Sequence, residues 1–258
     1  MGEAINPLKA WLERDGGLLR LRLARPKANI VDAAMIGALQ QALGAHLGSP
    51  ALRAVLLDAE GPHFSFGASV DEHMPEQCAQ MLKTLHALVR QMLDSPVPIL
   101  VAIRGQCLGG GLEFACAGGP LFASPDAKFG QPEIKLGVFA PAASCLLPGR
   151  IGQSRAEDLL LSGRSIDAAT ALAWGLVQEV AEDPVAAALA YFDEHLAPKS
   201  AASISFALQA VRMPAIEALE RRIAEVERLY LQELMKSHDA VEGLQAFLDK
   251  RTPKWEHR

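Results

Sequence analysis

The chain has 258 residues, of which half are hydrophobic and 5% are aromatic. This length can bury a large core, either as one domain or as a domain with an appendage. The formal net charge is −5 and no run of lysine or arginine stands out, so neither nucleic acid nor an anionic membrane surface is favoured as a partner.

The first 140 residues alternate short strands with helices. Residues 18–23 alternate apolar and basic side chains, as a half-buried strand does. Residues 32–47 have helical periodicity, with Asp32 as the N-cap. The further elements predicted here are a strand at 53–58, a helix at 75–93, a strand at 97–103, a glycine-rich turn at 105–111, a helix opening at 111–116 and short strands at 121–123 and 128–129. Strands and helices in this order indicate an α/β fold.

From about residue 142 the pattern is almost wholly helical. The candidate helices span residues 154–162, 167–174, 184–196, 200–213 and 215–248. In the last of these, dense charge surrounds an apolar stripe, which indicates an oligomer interface, although an ordinary solvated helix would show the same pattern. We therefore divide the chain into an α/β core at 1–200 and a C-terminal helical region at 201–258.

The four cysteines form no Cys-x-x-Cys pair and are too few to staple a chain of this length. We expect reduced and mostly buried thiols, which is typical of a cytoplasmic protein. Residues 1–11 show no basic-plus-apolar secretory pattern, and the apolar stretch at 97–103 is too short to span a bilayer. The sequence thus predicts a cytoplasmic protein.

A buried strand leads into three consecutive glycines at residues 109–111. Glycines let the backbone adopt conformations closed to other residues and leave its N–H groups approachable. At a helix N-terminus these N–H groups carry the positive end of the dipole, which suits an anion or a developing oxyanion. A tight turn with glycines for packing is the alternative. The spacing matches neither the dinucleotide fingerprint nor the P-loop.

Two glutamates near these glycines could form an acid/base pair. Glu113 would lie in the first turn of a helix, where the dipole favours its anion. Glu133 follows Pro132, which prevents a continuing helix, and its apolar neighbours would raise its pKa by desolvation. Carboxyl groups whose environments push their pKa values apart can divide the work of base and acid. Two unrelated surface glutamates are the alternative.

The loop at residues 63–69 allows three interpretations. Gly67 could let the loop offer a second backbone N–H to an anion. Ser65 could be the nucleophile of a strand–turn–helix elbow, but His63 stands where that motif has its first glycine. His63 and His73 could bind a metal only with further ligands that the sequence does not identify. Surface or packing roles are expected for both histidines.

Taken together, these segments resemble the crotonase (enoyl-CoA hydratase/isomerase) superfamily over most of the chain. The resemblance covers an early CoA-contacting loop, two oxyanion-hole loops, a second catalytic segment and a later helical signature. These lie at residues 25–29, 64–68, 105–113, 129–133, 161–164 and 171–177. The resemblance implies an α/β fold of the ClpP/crotonase-like type, made of repeated ββα units. Its C-terminal helical region would form trimers, often as dimers of trimers.

The resemblance also implies roles for individual residues. The oxyanion hole maps onto the backbone N–H groups of Phe66 and Gly110, and the catalytic pair onto Glu113 and Glu133. Because both glutamates are present, it implies a hydratase that adds water to a conjugated acyl-CoA thioester without a metal or cofactor. We expect Glu113 to act as base on the water and Glu133 to protonate carbon. The expected substrate or CoA contacts are Lys27, Ala28, Phe64, Ala68, Gly109, Phe139 and Pro141.

Three positions depart from the common family pattern. Ser69 replaces an aspartate after the first oxyanion loop, and Phe139 and Pro141 replace part of a glycine-rich stretch. With residues 27–32, the pattern is most similar to the cyclohexa-1,5-diene-1-carbonyl-CoA hydratases of anaerobic benzoyl-CoA degradation. This implies 1,4-addition of water to a cyclic dienoyl thioester, giving 6-hydroxycyclohex-1-ene-1-carbonyl-CoA. A straight-chain enoyl-CoA hydratase or isomerase, and a non-catalytic binding protein of the same fold, are the alternatives.

Overall fold

The computed structural model describes residues 6–258, in which helices pack against two sheets. The strands are, in chain order, β1 Leu8–Glu13, β2 Leu18–Leu23, β3 Ala54–Ala59, β4 Ile99–Ile103, β5 Gln106–Leu108, β6 Leu121–Ala123, β7 Lys128–Gly130, β8 Ser165–Asp167 and β9 Glu179–Val180. The larger sheet of the described residues has the order β1-β2-β3-β4-β6-β9, and the smaller one has the order β5-β7-β8. In the larger sheet only the β1–β2 pair is antiparallel.

The helices surround both sheets and dominate the second half of the chain. The α-helices are α1 Ala33–His46, α2 Cys78–Leu93, α3 Gly110–Ala117, α4 Pro141–Ile151, α5 Gln153–Ser162, α6 Ala168–Ala173, α7 Pro184–Tyr191, α8 Ala201–Arg228 and α9 His238–Leu248. Single turns of 3-10 helix occur at Asp71–His73, Pro132–Leu136 and Leu234–Lys236, and π turns at Phe192–Leu196 and Leu229–Glu233. The α/β class predicted from the sequence is confirmed by this order of elements.

Local chemistry explains why the first elements form where they do. The basic residues that alternate along β2 face an acid, because Arg20 and Arg22 both donate to the buried Asp58 on β3. Helix α1 begins at Asp32, whose carboxylate accepts the Met35 N–H at 2.9 Å, as predicted. The strand β4 is buried along its whole length because the parallel sheet is covered on both faces.

Two apolar clusters cover the two faces of the larger sheet. The larger cluster combines strand residues with α1, α2, α3 and α4, and it includes Leu219 and Ile223 of α8. The smaller cluster places Ala188 and Phe192 of the α7 region on Leu56 and Leu100. Helix α8 begins at residue 201, next to the division that we predicted at residue 200, and that division into two parts stays a prediction.

Several sequence predictions of local structure were incomplete. Strands β1, β5, β8 and β9 and helix α4 were not predicted, because all but α4 are short or half-exposed and α4 contains Pro148. The break predicted at Pro214 is wrong, since α8 runs continuously through it. The break at Ser237 was missed, where the Ser237 hydroxyl caps α9 by accepting the Ala240 N–H.

Two observations concern the cellular environment predicted from the sequence, namely the state of the cysteines and the character of the helices. All four cysteines are free and buried, which confirms that part of the prediction. In residues 6–258 no helix combines the length and the apolar character needed to cross a bilayer.

Candidate active site

The glycine loop between β5 and α3 forms the centre of the candidate site. Gly109 has a φ of +52°, and a Cβ there would lie 2.5 Å from Oε1 of Glu133. Both the positive φ and the close carboxyl group require glycine at this position. Helix α3 begins at Gly110, and its first N–H groups have no acceptor within the helix. The loop thus holds the Glu133 carboxyl beside an open helix N-terminus.

The loop that contains Gly67 lies directly against this helix start. Ser65 bridges to Cys107 of β5, and Ala68 bridges to Val31. A Cβ on Gly110 would lie 3.2 Å from the Ala68 nitrogen. Within the described range, neither the Ala68 N–H nor the Gly110 N–H donates to a protein acceptor. The two loops therefore offer a pair of neighbouring, free backbone donors.

The backbone hydrogen bonds of this loop correct one residue of the predicted oxyanion hole. The Phe66 N–H already donates to the Ala28 carbonyl oxygen at 2.9 Å, so it is not available to a ligand. The Gly110 N–H has no protein acceptor in the described range, so its predicted role stays a prediction, and the neighbouring free N–H is that of Ala68. The loop was predicted from the sequence. Only the hydrogen bond from the Phe66 N–H to residue 28 shows that the free donor is the N–H of Ala68 and not that of Phe66.

Glu113 is buried on α3, with 3% of its surface exposed. Its Oε1 accepts the Ala143 N–H at 2.8 Å. Ala143 belongs to the first turn of α4, so a second helix N-terminus, which the sequence did not predict, faces this carboxylate. Burial raises the pKa of Glu113, while the nearby His86 and the N–H groups of the α4 start act in the opposite direction. The site therefore offers its own donors to the Glu113 anion.

The ring of His86 links this carboxylate to the C-terminal helices. His86 is buried on α2, and its Nδ1 lies 2.5 Å from Oε1 of Glu227 on α8. Its Nε2 is buried without a partner among the residues described. This pair could not be predicted from local patterns, because 141 residues separate its members.

Glu133 lies on the short helix Pro132–Leu136 and lines a cavity. The Gln131 side-chain amide lies against it, with 3.0 Å from the amide nitrogen to Oε2 in the orientation that lets this nitrogen donate. Burial, and secondarily the charge of Glu113, raise the pKa of Glu133 from 4.5 to about 8. The direction predicted for the pKa of Glu133 thus agrees with the structure, and its surroundings favour the protonated form.

The cavity beside Glu133 has a volume of about 650 Å³. Of the predicted substrate contacts, Ala68 and Gly109 line it, and so does the half-exposed side chain of Phe66. Its inner wall includes Leu136 and Val138, so the lining near the acid is mostly apolar. The volume and the lining suit an apolar acyl group attached to a longer ligand.

Other predicted contacts do not line this cavity. The Phe64 side chain is in the core, 5.7 Å from the Phe114 ring centroid. Phe139 packs edge-on against Tyr230, and Pro141 is buried as the first residue of α4. The wall that we predicted from Phe139 and Pro141 is therefore formed by other residues.

The early loop also lies away from the described cavity lining. Lys27 is exposed and Ala28 is half-buried, with its carbonyl group accepting the Phe66 N–H. Neither lines the cavity, so a contact of Lys27 with CoA stays a prediction.

The outer wall comes from the C-terminal segment of the same chain, which sequence reasoning missed. Its lining residues are Gly243, Phe247, Leu248, Arg251 and Pro253. A Cβ on Gly243 would lie 2.2 Å from the Leu136 carbonyl oxygen, so α9 rests on the short helix of Glu133. The only signal in the sequence was a glycine inside a helical pattern, which often marks close packing.

The alternative chemistries considered from the sequence find no support in the geometry. The Ser65 Oγ donates to the Asn29 carbonyl oxygen at 2.8 Å and accepts the Gly67 N–H at 3.1 Å, as a structural hydroxyl does. His63 accepts the Gln106 N–H and His73 contacts the Ser69 carbonyl oxygen. Across residues 6–258 no three His, Cys, Asp or Glu side chains are grouped as metal ligands would be.

Comparison with known proteins gives consistent results. Residues 13–258 match the enoyl-CoA hydratase/isomerase family. The chain is 72% identical to cyclohexa-1,5-dienecarbonyl-CoA hydratase of Thauera aromatica over 100% of both chains. It is 32% identical to a probable enoyl-CoA hydratase of Bacillus subtilis (strain 168), over 91% of this chain and 93% of that one. A solved enoyl-CoA hydratase from Mycobacterium avium superposes with a TM-score of 0.87 at 26% identity, covering 98% of this chain and 100% of that chain. The fold type predicted by resemblance is confirmed.

Proposed function

Because the chain belongs to the enoyl-CoA hydratase/isomerase family, we propose that it is a hydro-lyase that hydrates a cyclic dienoyl-CoA thioester. The proposed substrate is cyclohexa-1,5-diene-1-carbonyl-CoA, and the proposed product is 6-hydroxycyclohex-1-ene-1-carbonyl-CoA. The observation that carries this proposal is the pair of glutamates at the glycine loop, the buried Glu113 on α3 and the half-buried Glu133 beside Gly109. The 72% identity to the hydratase of Thauera aromatica supports the cyclic substrate.

The free N–H groups of Ala68 and Gly110 would bind the thioester carbonyl oxygen. This oxygen gains negative charge when water adds to the conjugated system, because the electrons of the diene move toward the carbonyl group. Donors fixed by the backbone stabilise that charge without reorganising, and one such donor contributes a factor of roughly a hundred or more to turnover. Binding at this point would place the acyl group beside Glu133.

The two glutamates would divide the proton transfers. Glu113, whose anion accepts the Ala143 N–H, removes a proton from water as the water oxygen bonds to the ring carbon next to the thioester-bearing carbon. The resulting dienolate takes a proton from Glu133 at the far end of the diene, and one double bond shifts along the ring. Glu113 ends protonated and Glu133 ends ionised, so one proton must return before the next turnover.

The shape and polarity of the cavity support an apolar ring as the acyl group. Leu136, Val138 and Phe247 line it, and Phe66 is 43% exposed although it is aromatic. A ligand that covers an exposed aromatic side chain removes apolar surface from water, which favours binding. We keep Lys27, a solvent-exposed cation, as the candidate contact for a CoA phosphate.

We further propose a cytoplasmic homo-oligomer, either a trimer or a dimer of trimers. Helix α8 exposes the large apolar side chains of Phe206, Val211 and Met213, by 71%, 74% and 59%. Such side chains along one helix suit contact between subunits. Light scattering coupled to gel filtration tests this assembly, and a monomer at micromolar concentration would contradict it.

The proposed activity is tested with a panel of acyl-CoA thioesters whose products are identified by mass spectrometry and NMR. We expect the cyclic dienoyl thioester to be hydrated with a higher kcat/KM than crotonyl-CoA. Preference for crotonyl-CoA would replace the proposal with a straight-chain hydratase. Failure to hydrate any thioester would support the non-catalytic alternative.

A further inference from the structure

Tyr230 has a buried hydroxyl group without a partner. The residue is 0% exposed and lies in the π turn Leu229–Glu233 that follows α8. Its hydroxyl makes no hydrogen bond with any residue that the structure describes. Buried hydroxyls almost always have a partner because an unpaired one loses its bonds to water. Single π turns within helices occur often at functional sites. Both features make Tyr230 a candidate for a hydrogen bond to a ligand.

The segment that Tyr230 contacts connects the two glutamates. Its ring packs edge-on against Phe139, with centroids 5.3 Å apart. On one side of Phe139, the Val138 N–H donates to the backbone carbonyl of Glu133 at 3.3 Å. Tyr230 therefore packs against the residue that follows the turn carrying the proposed acid, and that turn contributes Val138 to the cavity wall.

On the other side of Phe139 the same segment begins α4 and bonds to Glu113 through the Ala143 N–H. Burial raises the pKa of Tyr230, with smaller contributions from the charges of Cys78, Glu133 and Glu113. A neutral phenol within range of both carboxyl groups can donate one hydrogen bond and accept another. The unpaired hydroxyl thus belongs to a ring that packs on the segment between the two glutamates, and their charges act on it.

We propose that the Tyr230 hydroxyl hydrogen-bonds to the oxygen atom that water adds to the substrate, and so recognises the ring hydroxyl of the hydrated product. This inference rests on the proposed hydratase function, in which Glu113 takes a proton from that water. Tyr230 undergoes no bond change: it orients the water before addition and holds the product hydroxyl after it. The dehydration direction would use the same contact to select the hydroxylated thioester.

The alternative is that Tyr230 is only a packing residue. In that case Tyr230→Phe removes an unpaired buried oxygen, which leaves stability unchanged or raises it and leaves ligand binding unchanged. Both interpretations predict a folded variant, so the ligand measurement decides between them. Tyr191, the other tyrosine of the chain, provides a matched control because it packs edge-on against Phe122 and His195 in the α7 region.

The experiment compares two ligands that differ by one hydroxyl. Calorimetry measures binding of 6-hydroxycyclohex-1-ene-1-carbonyl-CoA and of cyclohex-1-ene-1-carbonyl-CoA to wild type, Tyr230→Phe and Tyr191→Phe. We expect Tyr230→Phe to bind the hydroxylated ligand about tenfold more weakly, as one lost hydrogen bond implies, and the other ligand unchanged. Tyr191→Phe should bind both as wild type does, and the melting temperature of Tyr230→Phe should not fall.

Equal affinities of Tyr230→Phe and wild type for the hydroxylated ligand would overturn the inference, and so would an equal loss for both ligands. Failure of the proposed substrate is detected separately, because wild type would then not hydrate the cyclic dienoyl thioester. The same comparison is then made with 3-hydroxybutyryl-CoA and butyryl-CoA, which again differ by the hydroxyl alone. A selective loss for the hydroxylated member of that pair would retain the role of Tyr230 with a straight-chain substrate.

Discussion

The region around Glu113 and the region around Glu133 hold their carboxyl groups in opposite ways. Glu113 receives an N–H from the first turn of α4, and the nearby His86 favours its charge. Glu133 lies on a short helix covered by α9, and the Glu113 charge adds to burial in raising its pKa. Burial raises the pKa of both, but the backbone N–H groups of α4 and the nearby His86 oppose it only at Glu113. One small site can therefore keep one carboxyl as a base and the other as an acid.

The sharpest test of this difference removes each carboxyl in turn. Glu113→Gln and Glu133→Gln keep the size of the side chain but can neither accept nor deliver a proton. We expect each to lower kcat by roughly a thousandfold with binding of the thioester largely kept. Steady-state kinetics and calorimetry measure the two quantities. Near-normal hydration by either variant would remove that glutamate from the proposed mechanism.

The next prediction concerns the glycine that separates the two regions. In Gly109→Ala a Cβ would lie 2.5 Å from Oε1 of Glu133 at a residue whose φ is +52°. The carboxyl and the following N–H must shift, and we expect a loss of about a hundredfold in kcat/KM because misplacement of this size is costly. Gly149→Ala on α4 is the control, since nothing lies within 4 Å of its Cβ. Equal activity of both variants would contradict the role of Gly109.

A third prediction uses pH, because the pKa of Glu133 is raised to about 8. Only the protonated form can donate, so kcat/KM should fall about tenfold per pH unit above about pH 8. A pH–rate profile of wild type measures this, and the residual activity of Glu133→Gln should lack the same limb. A wild-type profile that stays flat to pH 10 would show that Glu133 is not the proton donor.

The same raised pKa links Glu133 to stability. The pKa of Glu133 is about 8 in the folded chain, against an ordinary value of 4.5. Between these two pH values the folded chain therefore binds this proton more tightly than the unfolded chain does. This contribution to the free energy of unfolding is fully present below about pH 4.5 and is lost as pH rises through about 8. Urea titrations should therefore show a smaller pH dependence in Glu133→Gln than in wild type.

The smallest predicted effect concerns the packing of α9 on the short helix that carries Glu133. Gly243→Ala would bring a Cβ within 2.2 Å of the Leu136 carbonyl oxygen, which forces α9 away from the short helix. We expect a loss of ~1–3 kcal/mol in the free energy of unfolding and a rise of a few-fold in KM. Gly37→Ala on α1, where a Cβ meets nothing within 4 Å, should instead be neutral or stabilising. Urea denaturation of both variants measures the difference.

The parts of the site that the sequence predicted are local in the chain. Gly109 to Glu113 directly follows β5 and forms the turn and the start of α3, and Pro132 begins the short helix that carries Glu133. The fold class followed from the same local patterns. The choice between the N–H groups of Phe66 and Ala68 could not be predicted, because it depends on which of them pairs with residue 28.

The long-range parts of the site were not predictable from the patterns. The bond between Glu113 and Ala143 joins two helices, and α9 reaches the cavity from the far end of the chain. The wall predicted at Phe139 was inferred from a departure from the family pattern, but the Phe139 ring packs against Tyr230. Each of these features depends on how helices pack, which one sequence does not specify locally.

The most direct test of the different roles of Glu113 and Glu133 is hydrogen exchange into the product. Each Gln variant is incubated with 6-hydroxycyclohex-1-ene-1-carbonyl-CoA in D2O, and NMR follows deuterium at the ring carbon that receives the proton during hydration. With Glu133 intact, Glu113→Gln should exchange this hydrogen while the hydroxyl group stays on the ring, and Glu133→Gln should not exchange it. Exchange in Glu133→Gln but not in Glu113→Gln would contradict the assignment of base and acid.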